Sequence, residues 1–253
     1  MRVVVTRPGP EAERWSQALR ERGHQVLQLP LLQIAPVPDP GAAARAGEQL
    51  AQYAAAMFVS ANAVRHFRAV ATQPWPATTR AWATGPGTAR ALREAGVPDA
   101  LLDTPPGDAA QFESETLWQQ VQAQARAGTR VLVVRGADGS GQAAGRPWLA
   151  ERLQAAGVQV DTVAVYLRQP PAWSEAQRAM ARAAAADGAI WLLSSSEAVA
   201  HLRAQLPDTG WSRARAIATH ERMAQAARDA GFGVVWLSRP DLGSVAAALE
   251  SIQ

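Results

Sequence analysis

The 253-residue chain has neither cysteine nor lysine. The first absence excludes disulfides, thiolate nucleophiles and Cys-ligated metals. The second excludes Schiff-base chemistry and a Walker-type phosphate loop. All 25 basic residues are arginine, as an Ala/Arg-biased composition produces. Histidine is scarce: His24, His66, His201 and His220 are dispersed without metal-ligand spacing, so no metal is expected. His66 and His201 read as equivalent exposed helix positions. Only two tyrosines occur, Tyr53 and Tyr166. No apolar run approaches the roughly 18–20 residues of a membrane span. The opening MRVVVTRPGPE lacks the apolar core of a signal peptide, which predicts a soluble cytoplasmic protein with no membrane partner. The net charge is only +3, and arginines alternate with glutamates along helical stretches, so no nucleic-acid partner is expected. With no exposed apolar heptad and no cysteine, a monomer is the expected state. Mild basicity remains compatible with a polyanionic small molecule.

What is present is a core-forming, alternating pattern. Hydrophobic residues make up 48% of the chain, and the nine tryptophans sit mostly within apolar patterns that read as packing. Short apolar runs predict strands at RVVVT (2–6), VLQL (26–29), MFVS (57–60), RAWAT (80–84), VLVV (131–134), VDTVAVY (160–166), IWLLS (190–194), RAIAT (215–219) and VVWL (234–237), with a weak one at 100–102. Between them lie helical stretches such as EAERWSQALRERG (11–23) and WLAERLQAAG (148–157), each ending in glycine. Strands alternating with helices predict parallel α/β sheets, and about ten strands fit two sheets better than one.

The pattern repeats. RAWATGPGTARALREAG (80–96) and RAIATHERMAQAARDAG (215–231) agree at nine of seventeen positions, 135 residues apart. At the same offset Ser60 meets Ser195, Val64 meets Val199 and His66 meets His201. RGHQV (22–26) meets AGVQV (156–160), and VVVTRP (3–8) meets LVVRG (132–136) after a small slip. These blocks describe a duplicated α/β unit. The Pro-rich breaks PVPDPG (36–41) and RQPPA (168–172) fall elsewhere, and if both are domain crossings the two ends of the chain form one domain and its middle the other. The expected division is 1–36 plus 172–253 against 40–167, with a substrate cleft between them.

Ligands of open α/β sheets bind at the carboxyl ends of the strands. Ser60, Asn62 and Ala63 stand at such an edge, where a serine or asparagine caps a helix and free N–H groups attract a carboxylate. Ser195 and Ser196 repeat the arrangement. Gly85 and Thr88 belong to a glycine turn, TGPGT (84–88), that lets backbone approach a ligand. Thr6, Arg7, Arg135 and Gly136 follow strands, and each arginine could grip a carboxylate by two parallel hydrogen bonds or simply pair with a neighbouring glutamate. Tyr166 closes the 160–166 strand just before the inferred crossing, either at the cleft or as a buried aromatic of the hinge.

The ordered motifs resemble those of the uroporphyrinogen-III synthase family along nearly the whole chain. They are VVVTRPGPEAERW, GHQVLQLP (23–30), FVSANAV (58–64), ATGPGTA (83–89), RGADGSGQAAGRPWL (135–149) with Gly145-Arg146, and VQVDTVAVYLR (158–168). The resemblance implies two flavodoxin-like parallel-sheet domains joined by two extended crossing strands. It implies cyclisation of the linear tetrapyrrole hydroxymethylbilane with loss of water and inversion of ring D, and no cofactor. It adds Arg146 to the substrate-binding candidates, and Tyr166 becomes the candidate for assisting departure of the hydroxyl. The chain departs from the family at His220-Glu221-Arg222-Met223, where a Gly-Pro-x-Thr turn is common.

Two other readings compete. A non-catalytic clamp for an anionic ligand explains the repeat equally well. A glycosyltransferase with two Rossmann-like halves needs an acidic ribose contact about 20 residues beyond a glycine turn; Glu94 is too near, which leaves only Asp103.

Overall fold

The computed structural model describes residues 1–106, 114–139, 141 and 147–252. In chain order the first elements are β1 (Arg2–Val5), α1 (Gly9–Glu21), β2 (Gln25–Gln28), β3 (Gln33–Pro36), α2 (Gly41–Glu48), β4 (Ala55–Phe58) and α3 (Ala61–Val70). They are followed by β5 (Arg80–Ala83), α4 (Pro86–Glu94), β6 (Leu102–Asp103), α5 (Ser114–Val121), β7 (Arg130–Ala137), α6 (Trp148–Ala155) and β8 (Gln159–Gln169). The chain closes with α7 (Glu175–Ala186), β9 (Ile190–Leu192), α8 (Ser196–Gln205), β10 (Arg215–Ala218), α9 (Glu221–Asp229), β11 (Val234–Leu237) and α10 (Leu242–Ser251). None of these helices is long and apolar enough to cross a membrane.

Two units emerge, Met1–Ile34 with Gln169–Gln253, and Ala35–Arg168. The chain leaves the first within β3 and returns at the end of β8, so both crossings are strands. In the first unit five strands run in the order β11-β10-β9-β1-β2, all pairs parallel. After Arg2, the three consecutive valines of β1 are all buried. Val3 and Val5 pack with Trp15 and Leu19 of α1 and Val245 and Leu249 of α10, while Val4 faces α7, α8 and α9. A strand buried on both faces carries a continuous apolar run. Trp191, Trp211 and Phe232 fill the second face, with the Trp211 and Phe232 rings stacked at 5.2 Å.

The second unit holds a six-stranded sheet, β3-β8-β7-β4-β5-β6. Met57, Trp82, Val131 and Val133 pack on Leu117 and Val121 of α5 and Leu149 and Leu153 of α6. Its five strands from β8 to β6 have the same order as the first sheet, with β7 and β8 standing where β1 and β2 stand. The register repeats as well. Ala55 pairs with Arg80, and Ile190 pairs with Arg215, so both partners are displaced by the same interval.

β3 is the strand the apolar pattern does not announce. It is four residues long, lies at a sheet edge, and ends in Pro36, a residue edge strands tolerate. Gly23, Gly96, Gly157 and Gly231 follow α1, α4, α6 and α9 with φ between 78° and 94°, the left-handed conformation that stops a helix.

Candidate active site

In each unit the sheet order reverses at one place, between β1 and β9 in the first and between β7 and β4 in the second. Crevices outside the carboxyl ends of such strands are where open sheets bind ligands. The candidates among the described residues lie at these two edges, and each edge is built differently.

At the first edge, Thr6 is fully buried and its hydroxyl donates to the Leu192 carbonyl at 2.6 Å, tying β1 to β9. Arg7 lies 3.9 Å over the Trp15 ring and donates to Glu11 at 3.0 Å. Burial lowers its pKa, with Glu11 acting in opposition. Ser195 caps α8, its hydroxyl accepting from the Ala198 N–H at 3.0 Å, and Ser196 is the first helical residue. His220 caps α9 in the same way, with Nδ1 accepting from the Arg222 N–H at 3.0 Å. The divergent turn therefore keeps the capping function that its residue types hide.

At the second edge, Ser60 caps α3 with φ −166° and ψ 162°, against −166° and 159° at Ser195. Its Oγ accepts from the Ala63 N–H at 3.1 Å. Asn62 points elsewhere, its Oδ1 accepting from Arg65 at 3.2 Å. Gly85 precedes α4 in extended backbone with no side-chain cap, Pro86 follows it, and Thr88 is buried on the inner face of α4. Thr84 donates to the Val59 carbonyl at 3.2 Å, holding the glycine turn to the end of β4. Gly87 faces open space.

The decisive difference is Tyr166. It is buried, and its hydroxyl lies 3.1 Å from Ser60 Oγ, which also caps α3. Tyr166 belongs to β8 and Ser60 follows β4, with β7 between them in the sheet. The phenol thus crosses a whole strand, and it does so above Gly136. Tyr166 does not close its strand as the apolar pattern suggested; β8 continues to Gln169. Arg135 sits one residue before the crossing and is buried to 9% exposure. Burial lowers its pKa, the like charge of Arg168 adds to this, and Tyr166 opposes it. Arg168 is a charge that sequence reasoning left out of the site. Arg146 lies outside the described residues.

His66 was also missed. It is half-buried, where an exposed helix position was expected, and its ring centroid is 5.6 Å from that of Tyr166. Its repeat partner His201 is half-buried too, with Nδ1 2.9 Å from the Leu31 carbonyl just past β2. Both histidines reach from the helix after the central strand, His66 toward β8 and His201 toward the segment past β2, the strand that holds the place of β8 in the first sheet. The repeat offset that paired them held that signal.

The model of uroporphyrinogen-III synthase HemD (HEM4) matches residues 13–247. The chain belongs to the uroporphyrinogen-III synthase family. Among solved structures it is similar to a mutant uroporphyrinogen III synthase from the extremely thermophilic bacterium Thermus thermophilus, at 19% identity and a TM-score of 0.58 over 99% of this chain and 98% of that one. It is similar to the uroporphyrinogen-III synthetase of Helicobacter pylori, at 16% identity and a TM-score of 0.59 over all of both chains. At these identities the structures speak to the fold, two mostly parallel α/β sheets. The family places the chain among the lyases of tetrapyrrole biosynthesis.

Proposed function

We propose that the chain cyclises hydroxymethylbilane with loss of water and inversion of ring D, giving uroporphyrinogen III, and that Tyr166 assists the loss of water. The observation that carries this reading is the phenol of Tyr166 at the carboxyl edge of the second sheet, held by Ser60, in a chain whose family match covers residues 13–247.

The first step breaks the bond between the ring A hydroxymethyl carbon and its oxygen. A phenol proton passed to that oxygen lets it leave as water, while electrons from the pyrrole nitrogen form an electrophilic azafulvene. The substituted carbon of ring D attacks it and gives a spirocyclic intermediate, which opens and closes the other way round. A proton lost at the end balances the one supplied.

The linear substrate also closes without an enzyme, to the unrearranged isomer. The protein therefore acts chiefly by folding the substrate, and holding its ends together is a large rate term in itself. The substrate carries eight carboxylates. Helix N-terminal N–H groups at Ser60–Ala63, Gly85–Thr88 and Ser195–Ser196 suit them, since both dipole and donors point at the ligand. Arginine stays charged when buried, so Arg135 offers a carboxylate a fixed positive charge and a two-pronged donor. Arg146, read from the family motif, completes the proposed substrate contacts, whereas Thr6 is engaged by Leu192 and Arg7 by Glu11 and Trp15. The enzyme works as a cytoplasmic monomer without cofactor or nucleic acid in this reading, consistent with a net charge of +3.

The test generates hydroxymethylbilane in situ and separates the oxidised products by isomer. Predominantly type III with the protein and type I without it is the expected result. Type I in both would overturn the synthase reading and leave an anion-binding clamp.

A further inference from the structure

We infer that Gly136 is a positioning residue: its missing side chain is the slot through which the Tyr166 phenol crosses β7 to reach Ser60. This rests on the reading of Tyr166 as the group that assists loss of water, and it assigns Gly136 a role other than touching substrate.

Three observations converge. The first is steric. A Cβ at position 136 would lie 2.5 Å from both Cε2 and Cζ of Tyr166 and 2.9 Å from its hydroxyl oxygen. The ring cannot yield freely, because Ser60 holds its hydroxyl and His66 packs beside it. Any side chain at 136 therefore displaces the phenol.

The second is conformational. Gly136 is absent from the glycines with positive φ, so its backbone is one that other residues adopt. The glycine supplies only empty space. Elsewhere the same kind of crowding has a purely packing meaning. At Gly47 a Cβ would strike Ala71 at the end of α3, and at Gly233 it would strike the Ser212 carbonyl.

The third is register. Arg135 pairs with Ala164, but Gly136 pairs with Tyr166, so β8 carries one extra residue, Val165, at this point. Continued without the shift, the same pairing would set Tyr166 beside Ala137. Because strand side chains alternate between faces, the shift moves Tyr166 into the row of Gly136. Bulge and glycine thus act together. One aims the phenol at β7, and the other lets it pass over.

A bond through Ser60 gives the arrangement a chemical purpose. Ser60 Oγ already accepts from the Ala63 N–H. Either hydroxyl can donate in the bond to Tyr166, and with Ser60 as the donor the phenol proton is left for the substrate.

The test is a double-mutant cycle read together with a spectroscopic probe. Gly136→Ala should lower kcat about tenfold or more, with KM within about threefold of wild type. Adding Gly136→Ala to Tyr166→Phe should change kcat by less than about twofold, since the phenol to be positioned is gone. Full multiplication of the two losses would overturn the proposal. With only two tyrosines, ¹³Cζ-tyrosine labelling gives two resonances, and Tyr166→Phe assigns them. Gly136→Ala and Ser60→Ala should each move the Tyr166 resonance and leave that of Tyr53 in place. An unmoved Tyr166 signal in Gly136→Ala overturns the slot.

If Gly136→Ala does not fold, Tyr166→Ala supplies the comparison. Removing the ring should restore folding to the Gly136→Ala/Tyr166→Ala pair. If the pair is as damaged as the single variant, the backbone rather than the tyrosine needs the glycine, and the proposal fails. Wild-type turnover in Tyr166→Phe would instead remove the catalytic reading of the phenol, while the resonance shift would still report on the slot.

Discussion

The imidazole of His66 and the phenol of Tyr166 lie with centroids 5.6 Å apart and planes inclined at 35°. Burial and the neighbouring Arg65 lower the His66 pKa from its ordinary 6.5, so the ring is neutral at pH 8 and acts by packing. His66→Phe is expected to keep turnover within about threefold of wild type at pH 8, because an aromatic ring remains against the phenol. His66→Ala is expected to lose more. Steady-state kcat for both variants at pH 8 decides it, and equal losses would show that the imidazole acts by something other than packing.

Tyr166→Phe keeps the ring above Gly136 and removes only the hydroxyl. A positioned acid contributes about 10²–10⁴-fold, and a loss of at least about 100-fold in kcat is expected with near-UV circular dichroism retained. An unchanged kcat would remove Tyr166 as the proton donor.

Ser60 and Ser195 are matched N-caps, at 3.1 and 3.0 Å from the N–H groups they serve. Alanine at either should cost about 1 kcal/mol of stability. The functional consequences should diverge, because Ser60 alone of the two reaches Tyr166. Urea denaturation alongside kcat for both variants tests the pair. Equal effects on kcat would argue against the Ser60–Tyr166 bond having a catalytic consequence.

His24 is buried, and neither ring nitrogen has a hydrogen-bond partner among the described residues. Burial lowers its pKa first, followed by the N-terminal ammonium, while Glu250 opposes them and Arg22 adds to the lowering. Below its ordinary pKa of about 6.5 an unfolded chain takes up a proton that the folded chain resists. Stability is therefore full above pH 6.5 and declines as pH falls toward the lowered native value. His24→Leu should flatten this decline between pH 7 and pH 5. Melting curves across that range check it, and an identical slope in both proteins would assign the acid sensitivity elsewhere.

Arg7 and Arg135 look alike in sequence, since each follows an apolar run, but Arg7 lies beyond β1 while Arg135 and Gly136 lie within β7, which runs on to Ala137. Arg7 is held by Glu11 and lies over Trp15 at 3.9 Å, so Arg7→Gln should cost about 1 kcal/mol of stability. Arg135 is buried near the like charge of Arg168. Arg135→Gln should raise KM about tenfold, the scale of one lost charged hydrogen bond. A larger KM effect at Arg7 than at Arg135 would reverse these assignments.

Much of this molecule is local enough to read along the chain. Ser60 and Ser195 cap helices because their oxygens reach an N–H three residues on, and no distant partner is needed. Gly23 and Gly157 end helices because the left-handed conformation excludes little besides glycine's competitors, the residues that carry a Cβ. The valines of β1 announced a strand covered on both faces. The constant offset between Ser60 and Ser195 anticipated two sheets of like order. β3 was not legible, since an edge strand ending in proline has no buried face to impose a pattern. Nor was the difference between Arg7 and Arg135, which depends on whether Trp15 or Arg168 lies alongside.

The amino-acid order by itself determined most of the elements, the serine caps and the family motifs, because each depends on residues a few positions apart. Tertiary structure alone decided that Tyr166, Gly136 and Ser60 form one unit. They are brought together by strand order, by one extra residue in β8, and by the absence of a single Cβ. Strand order and pairing register are long-range choices, made by burial over the whole sheet, and no window of sequence contains them.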